Sequence, residues 1–270
     1  MSLWPRRAVL GSLFLAACQT AAAHGADKRD PPPTTSAPAD ATDVTDAGAP
    51  LLGHEWMEAV GDDAHEVGKV TVPIGATSRR PVVVALHGAR DRADWACGEW
   101  RVILHGFPFV VCPRGDRSGS FYDAPAKTQA DLQLAIAEVR NRFDGWVEPH
   151  DPEVLAGFSM GAAQALALVL GTELRASSLA LVEGGYDTLA TKGVAETLRS
   201  RGVTRVLLAC TTNGACPTRY QAAARALSHA GIETRYVQAA RKVHGVYPEV
   251  VEALAAEMPW LTAGRAGFVQ

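Results

Sequence analysis

From residue 51 onward the apolar residues come in short clusters that alternate between two spacings. Residues 67–74 and 81–86 (P-V-V-V-A-L) are rich in valine, and the second is a continuous aliphatic run of the kind that is buried on both faces of a parallel sheet. Strands are also expected at 107–112, 153–156, 177–182, 203–209 and 233–238. The segments between them read as helices. At 127–143, Leu132, Ile136, Val139 and Phe143 recur on one helical face. Further helices are expected at 91–103, 160–170, 189–199, 217–230 and 248–256, the third of these weakened by Gly193. Strands and helices alternating in this way predict an α/β fold, a mostly parallel central sheet with helices on both faces. Sites in such folds collect at the carboxyl ends of the strands.

Composition narrows the picture. A chain of 270 residues with 47% apolar and 20% charged residues suits one ordinary domain with a real core, placed here at 51–270. A formal net charge of −3 offers no basic field for nucleic acid. No apolar run is long enough for a polytopic membrane protein. No repeat, G-x-G-x-x-G or P-loop motif points to a nucleotide, and no organic cofactor or metal is expected.

The first 50 residues differ from the rest. Arg6 and Arg7 precede ten apolar or small residues at 8–17, a run too short to span a bilayer as a mature helix. Residues 1–18 therefore read as an export signal. It ends Leu15-Ala16-Ala17-Cys18, which resembles a bacterial lipobox and makes Cys18 the expected lipidation site. The arginine pair also resembles a twin-arginine signal, so the export route stays open. Residues 19–50 hold nine Ala and five each of Pro, Thr and Asp, with Val44 the one large aliphatic. Such a stretch buries too little to offset its ordering entropy and is expected to be a disordered tether. Localisation follows: an envelope lipoprotein, or a secreted protein, contacting membrane only through its N-terminal lipid.

Four cysteines remain: Cys97, Cys112, Cys210 and Cys216. An even number in an exported chain suggests two disulfides. Three pairings can be drawn. Cys97–Cys112 and Cys210–Cys216 are favoured, because each staples a short local segment. The absence of a C-x-x-C speaks against zinc.

Gly157-Phe158-Ser159-Met160-Gly161 matches G-x-S-x-G, between a predicted strand and an Ala-rich predicted helix. A sharp strand-to-helix turn strains the serine backbone and projects its hydroxyl outward, and only small residues fit two positions either side. Leu86-His87-Gly88-Ala89 closes the strand at 81–86, where a His-Gly turn leaves the Ala89 N–H facing the site. With the Met160 N–H it forms a two-donor oxyanion hole. His87 precedes the nucleophile and is expected to be structural. His244 lies after the last strand and before the last helix, where a general base for Ser159 belongs.

Together these residues resemble the α/β-hydrolase superfamily over about residues 66–260, and within it single-domain esterases of the phospholipase/carboxylesterase and dienelactone-hydrolase kind. The resemblance implies a serine hydrolase that acts on a small-molecule ester through an acyl-enzyme. The short spacing between the strands at 177–182 and 203–209 leaves little room for a lid and implies an open site. One feature departs from the pattern. The turn after the strand at 203–209 usually carries an Asp, and here Asn213 stands in its place. Glu183, ending the preceding strand, is the favoured acid. Asn213 as orienter, Asp187 and a bare Ser–His dyad are the alternatives. The missing Asp also keeps open an inactive binding protein on the same fold, and the same site chemistry serves peptidases and amidases. Trp95, Trp100, Phe121 and Tyr122 either line an acyl pocket or pack in the core and rim.

Overall fold

The structure is a computed structural model that describes residues 49–62 and 65–268. The export signal at 1–18, with Cys18, and the tether up to residue 48 lie outside the described residues.

Eight strands form one sheet: β1 (Met57–Asp62), β2 (His65–Thr71), β3 (Val82–Leu86), β4 (Phe109–Pro113), β5 (Val154–Phe158), β6 (Ser178–Val182), β7 (Arg205–Cys210) and β8 (Glu233–Gln238). Their spatial order is β1-β2-β4-β3-β5-β6-β7-β8. β1 and β2 pair antiparallel, as do β2 and β4, and every other pairing is parallel. The helices are α1 (Ala93–Ile103), α2 (Pro125–Arg142), α3 (Met160–Gly171), α4 (Tyr186–Leu189), α5 (Val194–Ser200), α6 (Cys216–His229) and α7 (Pro248–Thr262).

Side chains on a strand alternate between faces, and the two faces here carry different cores. Val83, Ala85, Val110, Ala156, Val182 and Leu207 pack with Trp100 and Ile103 of α1 and Leu254 and Leu261 of α7. Val84, Leu86, Val111, Leu155, Leu181 and Leu208 pack with α2, α3, α5 and α6 through residues such as Leu132, Leu166, Leu198 and Leu227. The central strands are wholly buried, which is why their sequences read as unbroken aliphatic runs. Each fully buried Leu or Val contributes about 1.5–3 kcal/mol through removal from water.

The expected order of elements holds, with local differences. β1 is additional, because M-E-A-V-G-D is too polar to stand out alone and is recruited by pairing with β2. β2 starts two residues earlier than expected and stops at Thr71, since Pro73 has no N–H for a ladder. The helix expected at 189–199 is instead two short ones, α4 and α5. Gly193 adopts a left-handed φ of 85° between them, so it breaks the helix rather than weakening it.

Both favoured disulfides are present. Cys97–Cys112 ties α1 to β4 across 5.7 Å between Cα atoms, and Cys210–Cys216 joins the last residue of β7 to the first of α6 across 6.1 Å. Among the described residues no group of His, Cys, Asp and Glu is arranged to hold a metal ion, and no helix is long and apolar enough to cross a membrane.

Candidate active site

The sheet order reverses direction between β3 and β5, which are neighbours although α1, β4 and α2 come between them in the chain. The connections that leave these two strands diverge at their carboxyl ends and leave a crevice there. Ala89 lies just beyond β3 and Ser159 just beyond β5, so both face this crevice.

Ser159 has φ 52° and ψ −114°, a strained conformation for a residue with a side chain. Its N–H donates to the Val182 carbonyl (2.8 Å) and its own carbonyl accepts from Ala162 (3.1 Å), so the turn is anchored on both sides. A Cβ at Gly161 would lie 2.2 Å from the Leu86 carbonyl oxygen, which is why the second glycine of the motif is obligatory here. α3 begins at Met160, and the positive end of its dipole is directed at Ser159.

The Ser159 hydroxyl lies 2.9 Å from His244 Nε2. On the other side of the ring, His244 Nδ1 lies 2.8 Å from Glu183 Oε2. His244 is half exposed, whereas the Glu183 side chain is 1% exposed. The same Oε2 accepts the Gly245 N–H (3.0 Å). Glu183 Oε1 accepts the Thr211 N–H (2.8 Å) and the Thr211 hydroxyl. Burial pushes the Glu183 carboxyl up, but the hydrogen bonds from His244, Thr211 and Gly245 outweigh it and hold the group below the usual carboxylate range. A carboxylate that stays charged beside an imidazole fixes its tautomer and stabilises imidazolium when the ring takes a proton.

The other expected residues fall into place around this chain. Gly88 packs against the elbow: a Cβ there would sit 2.9 Å from the Phe158 ring and 3.5 Å from Ser159 Cβ. The Arg90 N–H donates to the Ser120 carbonyl (2.8 Å) and the Asp91 N–H to Gly88 (3.2 Å), which fixes the turn around Ala89. Among the described residues neither the Ala89 nor the Met160 N–H has a protein acceptor, as required of donors kept for a ligand oxygen. His87 is fully buried, with Nδ1 2.8 Å from the Gly88 carbonyl and Nε2 3.1 Å from that of Arg114, and it braces the loop instead of joining the chain.

The structure does not bring Asn213 or Asp187 to His244. Asn213 makes only a backbone contact, its N–H to the Thr211 hydroxyl (3.3 Å). Asp187 is exposed and paired with Arg219. Geometry is the reason: the carboxylate of Glu183 already occupies the Nδ1 side of the ring. Thr211 carries no signal of its own in the sequence, although it stands two residues before Asn213 in the turn where an acid is expected.

Trp100 is a core residue at 2% exposure, and Tyr122 tucks its hydroxyl under β3, accepting the His87 N–H at 2.7 Å. Trp95 is exposed in the first turn of α1, and Phe121 is exposed in the loop after β4. A groove of about 730 Å³ lined by Ile74, Phe107, Met258 and Phe268 lies at the amino ends of β3 and β4, away from Ser159.

No protein-family profile matches the chain, and no curated protein matches it in sequence. Solved structures do resemble it in shape. The crystal structure of esterase PE8 aligns with a TM-score of 0.52 at 18% identity, over 72% of this chain and 98% of that one. A fluorophosphonate-binding serine hydrolase of Staphylococcus aureus, FphF, aligns with a TM-score of 0.52 at 13% identity, over 72% and 91%. An uncharacterised Bacillus cereus protein aligns with a TM-score of 0.54 at 17% identity, and this chain spans 61% of its length. The chain has the α/β-hydrolase fold.

Proposed function

We propose that the protein is a serine hydrolase that cleaves carboxylic esters through an acyl-enzyme intermediate. One observation carries this reading: the hydrogen-bonded chain Ser159–His244–Glu183 at the crevice between β3 and β5. Ser159 Oγ attacks the ester carbonyl as His244 Nε2 takes its proton. The negative charge that develops on the carbonyl oxygen is met by the N–H groups of Ala89 and Met160 and by the α3 dipole. Glu183 stabilises the imidazolium. His244 then returns the proton to the leaving alcohol, and a water activated by the same ring hydrolyses the acyl-Ser159 ester. Each proton and each charge in this sequence has a protein partner, so the reading calls for no cofactor.

The intact Ser–His–Glu chain supports an enzyme over an inactive binding protein. The exposed His244 and the distance of the large groove from Ser159 favour small or externally presented esters. A fluorophosphonate probe tests the reading: it should label the wild-type protein and not Ser159→Ala, with folding unchanged. Labelling that persists in the variant would sink it. A panel of p-nitrophenyl esters of increasing acyl length then defines the substrate.

We further propose that the protein is exported and lipidated at Cys18. The two disulfides fit an oxidising compartment. Cys18→Ser should release the protein from the membrane fraction or block its processing. A wild-type protein that is already soluble and begins beyond Cys18 would exclude the anchor.

A further inference from the structure

The turn after β7, where an acid is expected and absent, is not idle. It consists of residues 211–215 closed by the Cys210–Cys216 disulfide, and its first two residues grip two different parts of the site. Thr211, fully buried, gives both its N–H and its hydroxyl to Glu183 Oε1. Thr212 gives its N–H (2.6 Å) and its hydroxyl (2.6 Å) to the Arg241 carbonyl, in the loop that carries His244. The strand end is tied to the same loop by the Ala239 N–H, which donates to the Cys210 carbonyl (2.8 Å). Two consecutive threonines thus hold the acid with one side chain and the loop of the base with the other.

We infer that Thr211 and Thr212 are positioning residues for the Ser159–His244–Glu183 chain, and that the Cys210–Cys216 bridge holds this pair in register. The inference rests on the serine hydrolase reading above. Its physical basis is the conformation of Glu183. That residue follows β6 directly at φ 50°, an unfavourable backbone for a glutamate, so its carboxylate needs fixed donors to stay aimed at Nδ1. Oε2 is shared between His244 and Gly245, and among the described residues Oε1 has only Thr211. Losing the hydroxyl leaves Oε1 one donor short in a buried place, and the carboxylate then holds a proton more readily. A bridge of six residues' separation keeps the turn from relaxing away.

The test uses the full mature protein, with Thr211→Val, Thr211→Ser, Thr212→Val and the double change Cys210→Ala/Cys216→Ala. Thr211→Val keeps the shape and removes only the hydroxyl. It should lower kcat by about ten- to a hundredfold, the worth of one hydrogen bond to a charged group, with KM little changed. The acid limb of its pH–rate profile should move to higher pH. Thr211→Ser should restore both rate and profile. Thr212→Val should lower kcat less, because its N–H still reaches Arg241. Removing the bridge should act in the same direction, and should cost little more in a Thr211→Val background. A Thr211→Val protein with wild-type rate and pH profile overturns the inference, as does a loss of rate that only follows loss of folded protein. Those failures leave the general reading intact as long as wild-type protein reacts with fluorophosphonate and Ser159→Ala does not. A wild-type protein that fails to react overturns both.

Discussion

Ser159 and Glu183 are a matched pair. Each is the residue just beyond a parallel strand, each has a left-handed φ (52° and 50°) despite carrying a side chain, and the two strands are neighbours. They are held by different means. Ser159 is held through its backbone, by an N–H bond across to Val182 of β6, by Ala162 in the first turn of α3, and by a glycine two residues on that lets β3 approach. Glu183 has the matching backbone bond, its N–H to the Ala209 carbonyl (2.9 Å), and is held in addition through its side chain, by donors 28 and 62 residues away in sequence. Close backbone approach around the serine admits only small residues at 157 and 161 and so writes a motif into the sequence; side-chain hydrogen bonds from distant residues do not. The two turns also interlock, since a Cβ at Gly184 would lie 1.9 Å from the Ser159 carbonyl oxygen.

This contrast can be broken at several points. Glu183→Gln should have the largest effect after loss of the nucleophile itself, a fall in kcat of about 10²- to 10⁴-fold with KM little changed. Steady-state rates, with melting temperature measured alongside, check it, and a tenfold or smaller loss in fully folded protein would favour a dyad. Gly184→Ala comes next. Its methyl group meets backbone rather than a movable side chain, so the elbow must shift, and both melting temperature and fluorophosphonate labelling rate should drop. Unchanged labelling would mean that the two turns are not coupled.

A smaller effect concerns pH. The folded-state carboxyl of Glu183 is held below its ordinary value, so its contribution to stability is present above the usual carboxylate range and lost as pH falls through the folded value. The melting-temperature advantage of wild type over Glu183→Gln should therefore shrink as the solution is acidified below that range. An advantage independent of pH would show that the carboxylate's charge is not what stabilises the fold. The smallest effects are expected at the two residues that do not reach His244. Asn213→Ala and Asp187→Asn should leave kcat within about twofold, because neither side chain is hydrogen-bonded to His244 and surface changes away from such features cost little. A large loss at Asn213 would mean that the ring turns toward it during catalysis.

Much of the site could be read from residues near one another in the chain. The elbow around Ser159 and the turn at Gly88 carry local sterically determined patterns, and His244 is legible from its place between the last strand and the last helix. The split of the helix at 189–199 was half legible: Gly193 announced a weakness, but its left-handed φ came from the fold. β1 was not legible, because its strand character depends on the β2 edge that pairs with it. Thr211 was hidden for a related reason. A threonine after a strand is unremarkable until the carboxylate it serves is known.

The sequence by itself determined the layer architecture, since alternating aliphatic runs and amphipathic helices have few other ways to bury their apolar faces. It also determined the strained serine turn, which only G-x-S-x-G chemistry can make. Tertiary structure decided which side chain faces His244, because choosing among Glu183, Asn213 and Asp187 depends on the relative height of neighbouring strand ends. It likewise decided that the disulfide-closed turn grips the acid and the loop of the base. Hydrogen bonds between residues dozens of positions apart exist only once the sheet has set their register.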